Sequence, residues 1–401
     1  MKLKYGLAGF AGMLLAAGAA NAQISDNVIK IGVMNDQSGL YADITGQGSV
    51  LAARMAAEDA GGKVLDKPIE IVFADHQNKP DVGSTVVRQW IDQDKVDAIA
   101  DVPTSSVALA VQQITKEKKR IFLMSGPASS DLTGKACSPY GFAFTYDTYM
   151  LAIGTGAALA KAGGDTWFFL TSDYAFGHAL ERDAGEAAKA AGAKILGAVR
   201  HPLNTSDFSS FLLQAQNSKA KIIGLANAGG DTINSIKQAA EFGIVAGCQR
   251  LAGLLVFVTD VHALGLKTAQ GLVVTESFYW DQSDETRKFS KRFFDKMGKQ
   301  PSMVQAGVYS GVAHYLKAVK AAGTDDPDKV AAKMREMPVN DFMTKDAKIR
   351  ADGRIMRDAY LFQVKAPNES KGPWDYYKQL AVIPAEEAAR PLKDGGCDLV
   401  K

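Results

Sequence analysis

The sequence predicts an α/β protein of two lobes, each a doubly wound parallel sheet. Three observations lead there. Short β-branched apolar runs alternate with helical stretches at roughly 30 residues per unit, the period of a βαβ repeat. The alternation runs twice, over 29–146 and again from 148, without obvious identity between the passes. The 401-residue chain is long enough for two cores.

The first 22 residues read as a leader. Lys2 and Lys4 precede an apolar run over 7–20 that ends in Ala20-Asn21-Ala22. That order belongs to a cleavable export signal, with cleavage expected before Gln23. The run is too short for a membrane span, and no later stretch reaches about 18 uninterrupted apolar residues. No cysteine follows the leader directly, so a lipid anchor is not expected. An exported, soluble protein of the periplasm is.

Strands are expected at 29–34, 69–74, 98–102, 121–124 and, extended, 142–146. Helices are expected at 46–60, 82–93 and 107–118. Gly46-Gln47-Gly48 suggests a dinucleotide loop, but the third glycine position holds Leu51. The second pass starts with a helix over 148–162. Strands follow at 167–171, 194–199, 222–226 and 251–255, with helices at 178–191, 208–215 and 231–242. After a strand at 271–275 come helices at 285–297, 303–321 and 328–337. Extended pieces at 360–364 and 379–383 precede an irregular tail.

Loss of the leader takes two lysines and no acid from 46 basic and 44 acidic residues, which leaves a balanced charge. This excludes a nucleic-acid footprint. The one basic cluster, Lys116 to Arg120, ends a helix, where it complements the dipole in solvent. An oxidising compartment permits one disulfide among Cys137, Cys248 and Cys397. Cys137 with Cys397 is the expected pair, because both sit in strand-free Gly/Pro-rich segments, although three pairings are open.

The chain is organised around 99–130, which reads strand, Pro103-Thr104-Ser105-Ser106, helix, strand, Ser125-Gly126-Pro127. Ligands collect at the carboxyl ends of parallel strands. Here those ends carry hydroxyls, and one starts a helix whose free N–H groups favour an anion. Half of a cradle for a small carboxylate follows. The alternative is that Thr104 or Ser105 caps the helix. Catalytic signatures are missing: no His-Glu-x-x-His, Gly-x-Ser-x-Gly, P-loop or Cys-x-x-Cys occurs, and five histidines are scattered without metal-ligand spacing. No catalytic residue, metal or cofactor is expected. Hydroxyls, glycines and aromatics suit binding rather than turnover.

With these segments in place, the chain resembles a periplasmic substrate-binding protein of an ABC importer, of the branched-chain amino-acid receptor type. The resemblance spans almost all of 28–385. It rests on Ile29-Lys30-Ile31-Gly32-Val33 leading to Ser38-Gly39, on Thr104-Ser105-Ser106, Ser125-Gly126-Pro127-Ala128, Asp173-Tyr174-Ala175-Phe176-Gly177 and Tyr309. It implies two lobes joined by three crossovers, near 145–148, 275–279 and 352–360, with ligand in the cleft between them. Lobe one is then 23–145 plus 277–352, lobe two is 148–275 plus 358–390, and 391–401 is a tail. It further implies that Thr104, Ser105, Ser125 and Ala128 hold the ligand carboxylate. Tyr41 flanks the pocket, Tyr174 and Phe176 close it from lobe two, and Tyr146 lies at the first crossover. Core or hinge packing is the competing role for these aromatics. A membrane permease is the implied partner, and a monomer is expected.

One departure bears on the ligand. Amino-acid receptors of this type carry an acid after the lobe-two strand near 252 that pairs with the ligand ammonium. Here 254–257 reads Leu-Leu-Val-Phe, with Leu255 at the site, and the loop at Asn227 is small. A buried, unpaired ammonium costs several kcal/mol. The expected ligand is therefore an aromatic or oxo acid without an α-amino group, captured by hinge closure. Amino acids are the alternative, with Asp231, Asp260 or Glu276 supplying the acid; Asp231 also suits a helix cap. Two other classes share the fold: an exported enzyme, which would turn over its ligand, and a sensor docking on a signalling receptor.

Overall fold

The computed structural model describes residues 24–245 and 247–401, so the expected leader and its cleavage site lie outside the described residues. In chain order the first pass is β1 (Ile29–Asn35), α1 (Gly46–Asp59), β2 (Lys63–Val64), β3 (Lys67–Asp75), α2 (Pro80–Asp92), β4 (Ala98–Asp101), α3 (Ser105–Glu117), β5 (Ile121–Met124) and β6 (Gly141–Ala143). Its sheet runs β2-β3-β1-β4-β5-β6, parallel apart from the short β2–β3 hairpin. β1 is buried along nearly its whole length, which is why it reads as a continuous β-branched run. Strand order reverses between β1 and β4, so their carboxyl ends leave a crevice.

The second pass opens with α4 (Thr148–Leu151), a π turn (Ala152–Gly156) and α5 (Ala157–Lys161) where one helix is expected. The π turn lies against Thr275. A Cβ on Gly154 would come within 2.1 Å of Thr275 Oγ1, and the Thr155 and Thr275 hydroxyls are 2.8 Å apart. Then come β7 (Thr166–Ser172), α6 (Ala175–Ala190), β8 (Lys194–His201), α7 (Ser209–Asn217), β9 (Ile222–Ala226), α8 (Gly230–Glu241), β10 (Arg250–Gly253), α9 (Val258–Leu264) and α10 (Leu266–Ala269). This sheet is parallel, in the order β10-β9-β7-β8, with its own reversal between β7 and β9.

The remaining elements are β11 (Val273–Glu276), α11 (Asp284–Met297), α12 (Met303–Ala322), α13 (Pro327–Glu336), β12 (Ala359–Val364), β13 (Tyr377–Ile383) and α14 (Ala385–Ala388). α12 packs on α1, β4 and β5, so the chain has returned to the first sheet. β11, β12 and β13 form a separate antiparallel sheet rather than extending the second parallel one. We take the first sheet with α1–α3 and α11–α13 as lobe one, and the other two sheets with α4–α10 as lobe two.

Two features tie distant segments together. Asp147 caps α4 by accepting from Met150 N at 2.8 Å, and it forms a buried ion pair with Arg354, in the stretch expected as the third crossover. Cys137 and Cys397 are disulfide-bonded, 260 residues apart, while Cys248 is free and exposed. The tail therefore returns from lobe two to lobe one instead of standing apart, and Arg390 donates to Ser130 O at 2.8 Å on the way.

Candidate functional site

Both crevices open onto one cavity. Tyr41 and Ile44 reach it from the loop after β1, Pro103 from the end of β4, Gly126 and Ala128 from the end of β5, and Tyr146 from the first crossover. Tyr174 and Phe176 reach it from the end of β7, Ala228 from β9 and Leu255 from β10. Every wall residue except Tyr146 thus follows the carboxyl end of a parallel strand, and the two order reversals supply six of the ten. The space between these walls that a water-sized sphere can enter is only about 10 Å³, room for about one water molecule, so a ligand fits only once the walls part.

The walls are aromatic and aliphatic. Their side-chain polar atoms are the hydroxyls of Tyr41, Tyr146 and Tyr174. The Tyr41 and Tyr174 oxygens meet across the lobes at 2.5 Å, and Tyr146 donates to Gly126 O at 2.8 Å. Burial holds all three phenols well above the usual tyrosine range, so they stay neutral. The Tyr174 and Phe176 rings lie 5.8 Å apart, and Tyr146 meets Phe257 edge-on at 6.1 Å. Gly230 N donates to Leu40 O at 3.2 Å, a second bond between the lobes. Three helices, α3, α6 and α8, begin beside wall residues, and none has a side-chain N-cap. Their positive dipole ends lie beside this region, and the first N–H of α8 is already taken by Leu40 O.

Of the residues singled out from the sequence, Tyr41, Ala128, Tyr146, Tyr174, Phe176 and Leu255 line this cavity together. Thr104, Ser105, Ser125 and Asn227 do not. Thr104 gives its hydroxyl to Asn78 Oδ1, and Ser105 Oγ accepts from Ser129 N at 3.1 Å, so neither caps α3. Ser125 turns toward Gly307 of α12, with its hydroxyl buried and unpartnered. Asn227 points into lobe two, toward Thr232, Ser235 and His201. The polar side chains of Thr104, Ser105 and Asn227 are engaged within their own lobes, and that of Ser125 is turned away from the cavity. Ile44, Pro103, Gly126 and Ala228 were missed because they lack functional groups. Pro103 and Gly126 nonetheless stand in the loops that the strand–helix pattern marks.

The three acids that could answer an ammonium lie outside the wall. Asp231 accepts from Asn204 N at 3.1 Å and Thr205 N at 2.9 Å, fastening that loop to α8; burial pushes it up to about 6. Asp260 accepts from Phe257 N at 2.9 Å at the start of α9, and burial pushes it up to about 7. Glu276 is fully buried, with Tyr377 Oη 3.3 Å from one oxygen and no partner for the other; burial raises it well above the usual carboxylate range.

A larger open groove lies on lobe one between α1, α11 and α12. No loop at the carboxyl end of a parallel strand reaches it, and Asp59 there is engaged by Arg292 and Tyr309. Among the described residues, carboxylates of Asp26, Asp97 and Asp325 gather at the opposite, amino end of β4. No helix of the described residues is long and apolar enough to cross a membrane.

Two parallel-sheet lobes closing on a small cavity at both strand-order reversals define a two-lobe ligand-binding protein. The sequence model described as periplasmic binding protein matches residues 28–373, and the chain belongs to that family. It is the solute-binding component of an ABC transporter, a transport receptor rather than an enzyme. Its partners are a small molecule and the transporter's permease. A periplasmic binding protein from Burkholderia mallei is 52% identical with a TM-score of 0.92, the match covering 94% of this chain and 100% of that one. A branched-chain amino acid ABC transporter periplasmic ligand-binding protein from Burkholderia xenovorans LB400 is 41% identical, TM-score 0.82, covering 93% and 100%. A solute-binding protein of an ABC transporter from Rhodopseudomonas palustris HaA2, solved in complex with p-hydroxybenzoic acid, is 25% identical, TM-score 0.80, covering 89% and 97%.

Proposed function

We propose that this protein captures a small carboxylate without an α-amino group, an aromatic or oxo acid, by hinge closure and delivers it to the permease. The carrying observation is the cavity wall: ten residues with no acidic side chain among them. An α-ammonium there would meet three positive helix ends and no counter-charge, at a cost of about 3–5 kcal/mol. A carboxylate meets the reverse. The uncapped N–H groups of Ser105, Ser106 and Val107 at the start of α3 suit the anion. Tyr41, Tyr146, Tyr174, Phe176, Ala128 and Leu255 suit an apolar body. The p-hydroxybenzoic acid complex of the Rhodopseudomonas relative supports the reading. We also propose an exported, monomeric protein whose first 22 residues are removed before Gln23.

Amino-acid binding is the second reading, favoured by the name of the Burkholderia xenovorans relative. It requires Glu276, the candidate acid with an unpartnered oxygen, to become accessible as the lobes open. The test is melting temperature after bound ligand is stripped by partial unfolding. One panel holds benzoates and oxo acids, the other branched-chain and polar amino acids. At about 1,000 times its dissociation constant a true ligand adds roughly 4 kcal/mol, a shift of several degrees. A shift confined to the first panel is expected. A shift confined to the second overturns the proposal in favour of the amino-acid reading.

A further inference from the structure

We propose that Asp101, beneath the cavity floor, takes up a proton when the anionic ligand is captured. The inference rests on the carboxylate reading above. Asp101 ends β4 and is fully buried. It and Val102 have φ of 76° and 59°, consecutive left-handed conformations at non-glycine residues, one of them β-branched. Such strain persists only where the surroundings impose it, and it clusters at binding sites. The bend delivers the chain into Pro103 and the start of α3.

The carboxyl lies directly behind the wall. A Cβ on Gly126 would come within 2.7 Å of both Asp101 Oδ1 and Pro103 Cα, and Gly126 and Pro103 are themselves wall residues. One layer of backbone therefore separates Oδ1 from the region where the α3 N–H groups would hold an anion. Asn35 Nδ2, from β1, donates to Oδ2 at 3.0 Å. Among the described residues Oδ1 and the Ser49 hydroxyl that faces it from α1 make no well-formed hydrogen bond, although Ser49 and the Gly126 N–H lie near enough to ease the charged form.

Among the described residues no charged side chain offsets this carboxyl. Ser49 of α1, Asn35 of β1 and the Gly126 N–H beyond β5 are its neighbours. Tyr146 at the first crossover is the titratable group that feels it, and it is neutral. Asp36, beside Asn35, is turned to Gly39 N, Tyr41 N and Asn78. Burial already pushes Asp101 up to about 7. A ligand carboxylate one layer away adds a like charge and raises it further. A neutral Asp101 removes the repulsion, and its O–H can pair with Ser49 Oγ.

The test is calorimetric titration of the wild-type protein with 4-hydroxybenzoate, or with the panel acid that raises melting most, from pH 6 to 9. Buffers of low and high ionisation enthalpy are compared at pH 7.5. Affinity should fall by up to tenfold per pH unit above 7, with net proton uptake at pH 7.5. Asp101→Asn should bind within a few-fold of wild type at pH 6 and lose the pH dependence. Glu276→Gln should keep it. A flat wild-type profile without proton uptake overturns the role of Asp101 whether or not the variant folds. So does an unchanged slope in Asp101→Asn. Absence of binding by any carboxylate at pH 6 overturns the ligand reading as well.

Discussion

The Tyr41–Tyr174 contact spans the two lobes, so its loss should weaken closure more than folding. Tyr41 is 2% exposed and Tyr174 half-buried. In the closed form their hydroxyls, 2.5 Å apart, satisfy each other. In an open form both face water. Replacing one leaves the other buried without a partner, which costs about 1–3 kcal/mol. That is borne by the closed state alone and corresponds to an affinity loss of about 5- to 150-fold. Tyr174→Phe, which strands the more buried Tyr41 hydroxyl, should lie near the upper end, and Tyr41→Phe lower. The double variant should recover much of the loss, because removing both partners leaves nothing unsatisfied. Ligand-free melting should move little in all three. Isothermal titration with the panel ligand measures the cycle. Additive losses, with the double variant weakest, would refute the reasoning and mean that each hydroxyl bonds the ligand instead.

Three further outcomes follow from the same geometry. Gly229 has φ of 57°, and a Cβ there would sit 2.5 Å from Leu40 O across the cleft; Gly229→Ala should lower affinity more than tenfold with a modest fall in melting, and Gly230→Ala, whose Cβ would meet Leu40 Cβ at 3.3 Å, much less. Cys397→Ser should destabilise by about 2–5 kcal/mol, and a reductant should lower the melting temperature of the wild type and leave the variant's unchanged. Asp97, Asp101 and Asp260 are each pushed up to about 7 by burial, so the native state binds protons that the unfolded chain releases near pH 4. Stability from these groups is fully present below pH 4 and is lost as pH rises through 7; Asp97→Asn should raise melting at pH 8 and leave it unchanged at pH 4, and equal effects at both would discount the shift.

The fold class was legible because parallel strands buried on both faces must be apolar along their length. Ile29 to Asn35 and Ile222 to Ala226 show this directly in their residues. The strand ends were legible for the same reason: a loop begins where the apolar run stops, so Tyr41, Tyr174, Phe176 and Leu255 could be placed near a crevice. The local pattern of β11–β13 did not mark their pairing direction, so nothing in it showed that they form an antiparallel sheet apart. Nor did it reveal the π turn, which depends on Thr275 packing against Gly154 from more than a hundred residues away.

The sequence by itself determined which segments are strands and helices, and at which of their ends a ligand can sit, because burial along an element is written in its own residues. Only the tertiary structure decided which atoms face that ligand. Thr104, Ser105, Ser125 and Asn227 had the right chemistry at the right ends, yet their polar atoms are engaged within their own lobe or turned into it. Pro103, Gly126 and Ala228 had none and became walls. Direction is the reason: a side chain's facing is set by the backbone bend beneath it, here the left-handed step at Asp101 and Val102, and by partners distant in the chain.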